Sequence, residues 1–326
     1  MPRPAYGGQA VIEGVLIRGQ RTLALACRKP DGGIYRYRET LASPLQRSRF
    51  ARLPLVRGVI VLSESLIHGT RMLMRSADVQ MEGTGQKPGG SAGTTGVIAV
   101  SVGIALLVFV GIPYAATQLL ASVGSGSATT LNVVEGLVRV GLLFAYIWAI
   151  SFLPDIRRVF AYHGAEHMTI HAFEHGDPLD PAHVEPYPTA HPRCGTAFLL
   201  LVVLVAVVLF AFMPRTNVVV DLVARLVLVL PVAAISYEIL KFGAAHEGNA
   251  LMRALVWPGL LLQGITTRRP DATMIEVAIA SLEEAIAGDR ESETTGSSDE
   301  RLRREERIRQ RGAIPGPQAT GSDGPA

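Results

Sequence analysis

Residues 196–213, TAFLLLVVLVAVVLFAFM, form an apolar run without a single charged side chain. A helix that crosses a bilayer needs roughly 20 predominantly apolar residues. Three further runs approach this length, and 48% of the 326 residues are hydrophobic. The sequence therefore predicts a mainly α-helical, multipass membrane protein with about four transmembrane helices, at residues 97–120, 137–153, 196–213 and 218–240.

The basic residues near these spans predict the orientation, because Lys and Arg are retained on the cytoplasmic side of a membrane. Arginines are frequent before residue 76, within residues 154–195 and after the last span, whereas the 121–130 connection carries no charge and the 214–217 turn carries only Arg215. We therefore expect both termini and the 154–195 segment in the cytoplasm. Cys27 and Cys194 would then lie in a reducing compartment, where a disulfide is not expected.

Short β-prone runs precede the first span. Residues 10–18, interrupted at Glu13-Gly14, are followed by residues 22–28 and 34–38, and this spacing predicts a small β-meander. Residues 55–76 have the pattern of an amphipathic helix that lies on the membrane or against the bundle. No helix follows Gly7-Gly8 in the way that a phosphate-binding loop requires, so nucleotide binding is not favoured.

The composition divides the chain into four parts. Residues 1–81 are predicted to form the cytoplasmic β-meander and amphipathic helix, and residues 82–96 a flexible Gly-rich linker. Residues 97–287 would form the membrane bundle, with an interfacial or re-entrant segment at 251–265 and a final helix capped by Asp271. We expect disorder in residues 288–326, whose mixed Arg and Glu content argues against a nucleic-acid-binding arm.

A histidine-rich segment at 162–175, YHGAEHMTIHAFEH, carries four of the eight histidines of the chain. His163 and His167 are four residues apart, so they share one helix face and could bind one ion. Together with Glu166 they form His-x-x-Glu-His, the inverted zinc-peptidase signature. We predict His163 and His167 as metal ligands and Glu166 as the general base that takes a proton from water. Glu174, about 16 Å from His163 along the axis, is not expected to share that ion.

Two histidines need further ligands to hold a metal, and we expect them first from His191 or Glu238, with Cys194 as a further candidate. His191 and Cys194 have ligand-like spacing just before an apolar helix. Glu238 lies at the cytoplasmic end of another helix, where Lys241 is its only nearby basic partner in the sequence. Nitrogen and oxygen donors with one optional thiolate suit a divalent metal, with zinc preferred over iron or manganese. Four other residues are candidates to support the ligands or to contact substrate: His171, Glu174, Glu13 and Arg193.

Charged residues also occur inside the predicted spans. Glu135 with Arg139, and Asp221 with Arg225, are spaced i, i+4, and we predict two structural ion pairs near the outer membrane face. The alternative is a polar path across the bundle, which would continue from the histidine segment toward these residues.

Several motifs in the same order resemble the YqhQ-like family of bacterial membrane proteins, and the resemblance covers about residues 5–287. It implies a multipass protein of the bacterial inner membrane that is described as a predicted metal-dependent enzyme. It also implies that the predicted site residues from His163 to Glu238 lie within family motifs, whereas His175 is less typical. The segments that carry the resemblance are 7–15, 57–59, 162–167, 169–171, 191–196 and 235–238.

These observations predict metal-assisted hydrolysis of a peptide or lipid-linked bond at the cytoplasmic membrane face, with membrane lipids as the surrounding partners and no nucleic acid. An open coordination position beside Glu166 would favour catalysis, whereas four protein ligands would indicate a structural metal in a non-catalytic scaffold. A transporter or membrane-assembly factor that relays protons or metal ions is the further alternative. It requires a continuous polar path, so a dry apolar layer would count against it. The sequence leaves the substrate and the oligomeric state open.

Overall fold

The structure, a computed structural model, describes residues 6–41, 48–82, 91–124, 126–192, 194–246 and 249–312. It is mainly helical, with one four-stranded sheet near the amino terminus. The strands are β1 (Gly7–Val11), β2 (Gly14–Arg18), β3 (Thr22–Arg28) and β4 (Ile34–Thr40). The helices are α1 (Val56–Met81), α2 (Ser91–Leu106), α3 (Ile112–Ser122), α4 (Ala128–Ile150), α5 (Pro154–His175), α6 (Pro181–Val184), α7 (Gly195–Ala211), α8 (Val218–Ala245), α9 (Ala250–Thr266) and α10 (Ala272–Gly312).

The sheet is an antiparallel meander in the order β1-β2-β3-β4, as the sequence predicts. Val11 pairs with Gly14 across a tight turn, in which Glu13 has a positive φ of 51°. Arg28 pairs with Ile34 across the turn between β3 and β4, where Gly32 has a φ of 86°. A positive φ is readily adopted by glycine, which explains the position of this second turn.

Helices cover both faces of the sheet. Successive side chains of a strand point to opposite faces, so each of the inner strands contributes to both helix contacts. One face packs against α5 and α10, and the other packs against α1. Toward α5 and α10 point Val15, Ile17, Ala24 and Ala26. Toward α1 point Val11, Leu16, Leu23 and Leu25, which contact Met72. The amphipathic helix of the sequence prediction therefore lies against the sheet, and it also contacts α8.

Helix α10 begins as predicted but extends much further. The Asp271 carboxylate accepts a hydrogen bond from the Met274 backbone N–H at 2.9 Å and caps the helix. The helix continues to Gly312, so the predicted disorder is wrong for residues 288–312. Contacts with the sheet help to explain this: Asp289 accepts backbone hydrogen bonds from Gln20 and Arg21. Residues 313–326 lie outside the described part of the chain.

The predicted linker is only partly described. Residues 91–96 are helical and belong to α2, which corrects that part of the predicted range, and residues 83–90 lie outside the described residues. A π-helical turn, Leu107–Gly111, joins α2 to α3. The two helices and this turn form one continuous apolar element.

Among the described residues, three helical segments are long and apolar enough to cross a membrane: Ala99–Ser122, Ala128–Ile150 and Val218–Gly243. The sequence predicts four. The remaining predicted span, Gly195–Ala211, is a shorter apolar helix of 17 residues. Large apolar side chains stay exposed along these segments, for example Leu137, Val227 and Leu230. Such surfaces are unusual in contact with water and are consistent with a membrane protein.

The four charged side chains of an arginine cluster, Glu135, Arg139, Arg215 and Arg225, meet where α4, α7 and α8 come together. The Glu135 carboxylate accepts hydrogen bonds from all three guanidinium groups, at 2.8–2.9 Å. The predicted Glu135–Arg139 ion pair is therefore present.

The predicted Asp221–Arg225 ion pair is wrong. The Arg225 guanidinium reaches across to Glu135 on the neighbouring helix, and only the backbone carbonyl of Asp221 accepts a hydrogen bond from it. The Asp221 carboxylate instead accepts hydrogen bonds from the Tyr114 hydroxyl at 2.8 Å and from Thr216. Spacing along one helix cannot reveal a better partner on another helix.

Two apolar layers lie along α7, between the arginine cluster and the end of the helix that follows Cys194. The first consists of Leu143, Ile147, Leu200, Val203 and Leu262, all at most 9% exposed. The second is formed by Ala206, Phe210 and Val232. Helix α7 runs through both layers and ends close to Arg215.

Candidate metal centre

Helix α5 carries the histidine-rich segment and has well-defined ends. Pro154 occupies its first turn, where the missing N–H is not needed, and Gly176 closes it in the left-handed conformation at a φ of 89°. Between these ends the helix is buried from Ala161 to Ile170. It packs against β1 and against α10, so its polar side chains are removed from water.

His163 and His167 lie side by side on α5, with ring centroids 4.4 Å apart. The Nδ1 atom of His163 is 2.9 Å from the Thr266 carbonyl oxygen, and Nδ1 of His167 is 2.6 Å from the Thr189 carbonyl oxygen. A carbonyl can only accept, so each Nδ1 donates its proton, and in the neutral form of each ring Nε2 carries a lone pair. Metal-binding histidines are oriented by outer hydrogen bonds of this kind.

Cys194 completes the first group of donors. Its Sγ atom lies 3.2 Å from Nε2 of His163, and the ligand atoms of His163, His167 and Cys194 all lie within 4.8 Å of one another. Cys194 is the residue immediately before α7, and its sulfur accepts a hydrogen bond from the Thr196 backbone N–H. Two nitrogens and one sulfur form a donor set suited to zinc.

The Glu166 carboxyl group lies next to this group of donors and is 2% exposed. Its Oε2 atom is 3.6 Å from Nε2 of His167 and has no hydrogen-bond partner among the described residues. Burial raises the pKa of Glu166 to about 7, while the charge of His163 and a hydrogen bond from the Gly8 backbone N–H act in the opposite direction. A buried oxygen without a hydrogen bond calls for an explanation, and a nearby cation would provide one.

The Gly8 hydrogen bond depends on the position of β1 at the edge of the sheet. An edge strand has backbone N–H groups that no neighbouring strand can use, and α5 covers this edge. A Cβ atom on Gly8 would lie 2.2 Å from the Leu16 carbonyl oxygen, so a larger residue would disturb the pairing of β1 with β2.

A second group of donors lies one to two helical turns further along α5. His171, Glu174 and His191 each offer a ligand atom, and these atoms also lie within 4.8 Å of one another. The Nε2 atom of His171 donates to the Ala190 carbonyl at 2.9 Å, and Nε2 of His191 is 3.5 Å from the Glu174 Oε2 atom. We refer to the two groups, His163, His167, Cys194, His171, Glu174 and His191, as the histidine cluster.

Two sets of contacts fix the segments around His191 and Arg268, which face α5. The Gln263 side chain accepts from the His191 backbone N–H at 2.8 Å and donates to the His191 carbonyl at 2.9 Å. Gly164 lets the chain around Arg268 approach α5, because a Cβ atom there would lie 2.1 Å from the Arg268 carbonyl oxygen. The Arg268 backbone N–H donates to the Phe160 carbonyl of the same helix at 2.9 Å. These contacts place the Thr266 carbonyl opposite His163.

Four of the five predicted metal ligands lie in the histidine cluster, divided between its two groups. It brings His163, His167 and Cys194 together beside Glu166. His191, predicted as a further ligand of the same ion, instead lies in the second group of donors. The first group therefore contains three of the predicted ligands and the predicted general base.

Glu238 lies apart from both groups. Its carboxylate forms an ion pair with Arg57 of α1 and accepts a hydrogen bond from the Leu55 backbone N–H. The expectation that Lys241 is the only basic partner of Glu238 is therefore wrong, because its strongest partner comes from another part of the chain.

Two supporting residues of the sequence prediction remain. The Glu13 carboxylate pairs with Arg158 of α5 and accepts a hydrogen bond from the Tyr162 hydroxyl at 3.3 Å, so it contacts the residue that precedes His163. Arg193 lies outside the described residues. Sequence reasoning missed Gly8 and Gln263, because a backbone N–H and a neutral amide give no signal of site chemistry in a single sequence.

Comparison with known proteins gives a family but no activity. A family model described as "Protein of unknown function (DUF1385)" matches residues 53–288. The chain is also 30% identical over 297 residues to "Uncharacterized protein YqhQ" of Bacillus subtilis (strain 168), with 87% of this chain and 92% of the relative covered. No solved structure matches. The chain belongs to the DUF1385 family, whose function is not established.

Proposed function

We propose that this protein is a metal-dependent hydrolase of the bacterial inner membrane, with its site at the cytoplasmic face. The single observation that carries the proposal is the state of the Glu166 Oε2 atom. This atom is buried, lies 3.6 Å from Nε2 of His167 and has no hydrogen-bond partner among the described residues. The first group supplies three protein ligands, one fewer than a closed structural site. The open position would lie beside Glu166.

A divalent ion bound by His163, His167 and Cys194 would act as a Lewis acid that polarises a substrate oxygen and acidifies water. Glu166 is placed to accept the proton of that water and to pass it to the leaving group. The carbonyl groups of Thr266 and Thr189 fix the histidine rings, so that both Nε2 atoms face the same space. The backbone N–H of Gly8 faces the Glu166 carboxyl and lowers its pKa.

The membrane arrangement supports four crossings in spite of the short α7. Its first end carries Cys194 beside His163, and just beyond its other end Arg215 contacts Glu135 near the start of the long helix α4. At 1.5 Å per residue, its 17 residues extend about 26 Å, close to the roughly 30 Å of a hydrocarbon core. With four crossings both termini share one side, and the distribution of arginines assigns that side to the cytoplasm.

This location suggests the substrate class. A site at the level where the spans emerge would act on a peptide or lipid-linked bond held at the membrane surface. Membrane lipids are then the immediate partners of the protein.

A structural metal site is the second candidate, and the burial of the donors favours it. His163, His167 and Cys194 are each at most 9% exposed, so an ion could pin α5 to the start of α7 without any reaction. A proton or metal relay across the membrane is less well supported, because the two apolar layers lie between the histidine cluster and the arginine cluster.

Metal analysis with three forms of the protein tests the proposal. The protein is purified in detergent without chelators, as wild type, His163→Ala/His167→Ala and Glu166→Gln, and bound metal is measured by elemental analysis. We expect Glu166→Gln to retain the metal of the first group and the double variant to lose it. Hydrolysis of a panel of peptide and lipid-linked substrates should then be abolished by Glu166→Gln.

The same experiment separates the alternatives. Metal that is retained in Glu166→Gln together with unchanged cellular function of this variant would indicate a structural site. Absence of metal from the wild type would overturn the proposal.

A further inference from the structure

The two groups of the histidine cluster are built in the same way. Each takes two donors from α5, at spacings of four residues in the first group and three in the second, and one donor from the 191–194 segment. His163 and His167 meet Cys194, whereas His171 and Glu174 meet His191. The structure thus repeats one arrangement along the helix with different donors, a thiol in the first group and a carboxylate in the second.

We infer that His171, Glu174 and His191 form a second metal site, distinct from the site at Cys194. Its place in catalysis rests on the proposed function, whereas the binding of an ion by these three residues does not. The second site would combine two imidazole nitrogens with one carboxylate oxygen. It gives His171 and Glu174 a direct role in metal binding, beyond the supporting roles suggested by the sequence. His191, predicted as a ligand of the first ion, would bind the second ion instead.

The rotation of His171 supports this assignment. Its Nε2 atom donates to the Ala190 carbonyl at 2.9 Å, so Nδ1 carries the lone pair. Its ring lies 4.5 Å from the His191 ring, centroid to centroid. As in the first group, a backbone carbonyl determines which nitrogen faces the other donors. The carbonyl groups of Thr189 and Ala190, two consecutive residues, fulfil this role for His167 and His171.

The His191 backbone is fixed independently of its ring. Both of its polar groups are bonded to Gln263, which is fully buried. The imidazole is therefore held close to Glu174, with Nε2 3.5 Å from Oε2. This separation is longer than a strong hydrogen bond, and a cation between the two groups could bind both of them.

The donors predict different metal preferences for the two sites. Thiolate favours soft ions and zinc, whereas imidazole with carboxylate also accepts manganese and ferrous iron. The second site is the more accessible, because the Glu174 side chain is 24% exposed while that of His167 is 3% exposed. A harder, more readily exchanged ion is therefore expected at the second site.

A titration of metal-free protein tests the inference. Full-length protein in detergent is stripped with a chelator, transferred to chelator-free buffer and loaded with Zn²⁺ or Co²⁺, and the bound equivalents are counted. The forms are wild type, His171→Ala/Glu174→Gln, Cys194→Ser and the control His175→Ala, whose exposed side chain belongs to neither group. We expect two equivalents in the wild type and the control, and one in His171→Ala/Glu174→Gln.

Spectra identify which site is lost. Co²⁺ bound to a thiolate gives a sulfur-to-metal charge-transfer band, which should persist in His171→Ala/Glu174→Gln and disappear in Cys194→Ser. Persistence of the band also shows that the double variant is folded at the first site. Titration with Mn²⁺, followed by the electron paramagnetic resonance of the unbound ion, should give one site in the wild type and in Cys194→Ser, and none in His171→Ala/Glu174→Gln.

The contrary outcomes are distinct. If the wild type binds one equivalent that is lost in both His171→Ala/Glu174→Gln and Cys194→Ser, the six residues share one ion and the inference is wrong. If His171→Ala/Glu174→Gln binds as many equivalents as the wild type, His191 and Glu174 form only an ion pair. Metal at the second site without a cobalt–sulfur band would instead contradict the proposed function and leave this inference standing.

Discussion

The histidine cluster and the arginine cluster lie at opposite ends of α7, and both are buried and polar. In the arginine cluster each Glu135 oxygen accepts from two guanidinium groups. Within the described residues, the atoms left without a partner there are donors, namely Nη1 of Arg139 and Nη1 of Arg215. Beside the histidine cluster, an acceptor is left without a partner among the described residues, namely Oε2 of Glu166. The unpartnered atoms next to Glu135 are therefore N–H donors, whereas the one next to Nε2 of His167 is a carboxyl oxygen.

This difference indicates different uses of buried polarity. A carboxylate that is saturated by arginines joins helices to one another, and its removal leaves positive charges without compensation. Imidazoles that are held by carbonyl groups, with their other nitrogens directed toward a thiol and a carboxyl group, suit a cation. We therefore interpret the arginine cluster as structural and the histidine cluster as the functional centre.

The largest effect is expected from Glu135→Gln. The neutral amide would leave the buried Arg139, Arg215 and Arg225 without their common counter-charge, and breaking a buried ion pair costs about 3–5 kcal/mol. Thermal unfolding in detergent, followed by circular dichroism, measures the loss. The control Glu276→Gln removes a partly exposed partner of Arg28 and should cost less than about 1 kcal/mol. Equal unfolding temperatures for the two variants would refute the structural role of the arginine cluster.

A smaller effect is expected from Gly164→Ala, which acts on the histidine cluster through its backbone. The new Cβ would meet the Arg268 carbonyl at 2.1 Å, so α5 and the 266–268 segment must move apart. Overpacking of this kind costs about 1–3 kcal/mol. Because the Thr266 carbonyl would move away from His163, we also expect roughly tenfold weaker metal binding, measured by competition with a metal-binding dye.

The control for Gly164→Ala is Gly264→Ala in α9. Gly264 is exposed, and apart from its chain neighbours and the adjacent backbone of its own helix no atom of the described residues lies within 4 Å of the Cβ position. This substitution should leave both the unfolding temperature and the metal affinity close to those of the wild type. If Gly164→Ala retains full affinity, the carbonyl that orients His163 has no part in binding.

Local spacing was sufficient to predict several of these features. The β-meander follows from short alternating runs and turn residues, and the Asp271 cap follows from its position before an apolar helical pattern. The juxtaposition of His163 and His167 requires only that the segment is helical, since residues four apart are neighbours on a helix. These predictions depend on interactions within a few residues.

Contacts between distant segments could not be predicted in this way. Glu238 pairs with Arg57, 181 residues away, and Arg225 reaches Glu135 although Asp221 has the expected spacing. The spacing of His191 and Cys194 indicated metal binding but could not show that the two residues belong to different groups of donors. The packing of α5 on the sheet and on α10 helps to determine these partners, and a single sequence does not encode that packing as a local pattern.

The smallest effect is expected from alkylation of the two cysteines. It compares a thiol buried in the sheet with a thiol of the histidine cluster. Cys27 is fully buried in β3, and burial raises the pKa of its thiol to about 11, so few molecules carry the reactive thiolate near pH 7. Its alkylation should be slow with or without a chelator, and should become faster as the pH approaches 11. Alkylation of Cys194 in the Cys27→Ser variant should be slow with bound metal and faster after chelation, as measured by mass spectrometry. A Cys194 alkylation rate that does not respond to chelation would exclude the sulfur as a ligand. It would favour Glu166 as the third donor, because its Oε2 atom lies 3.6 Å from Nε2 of His167.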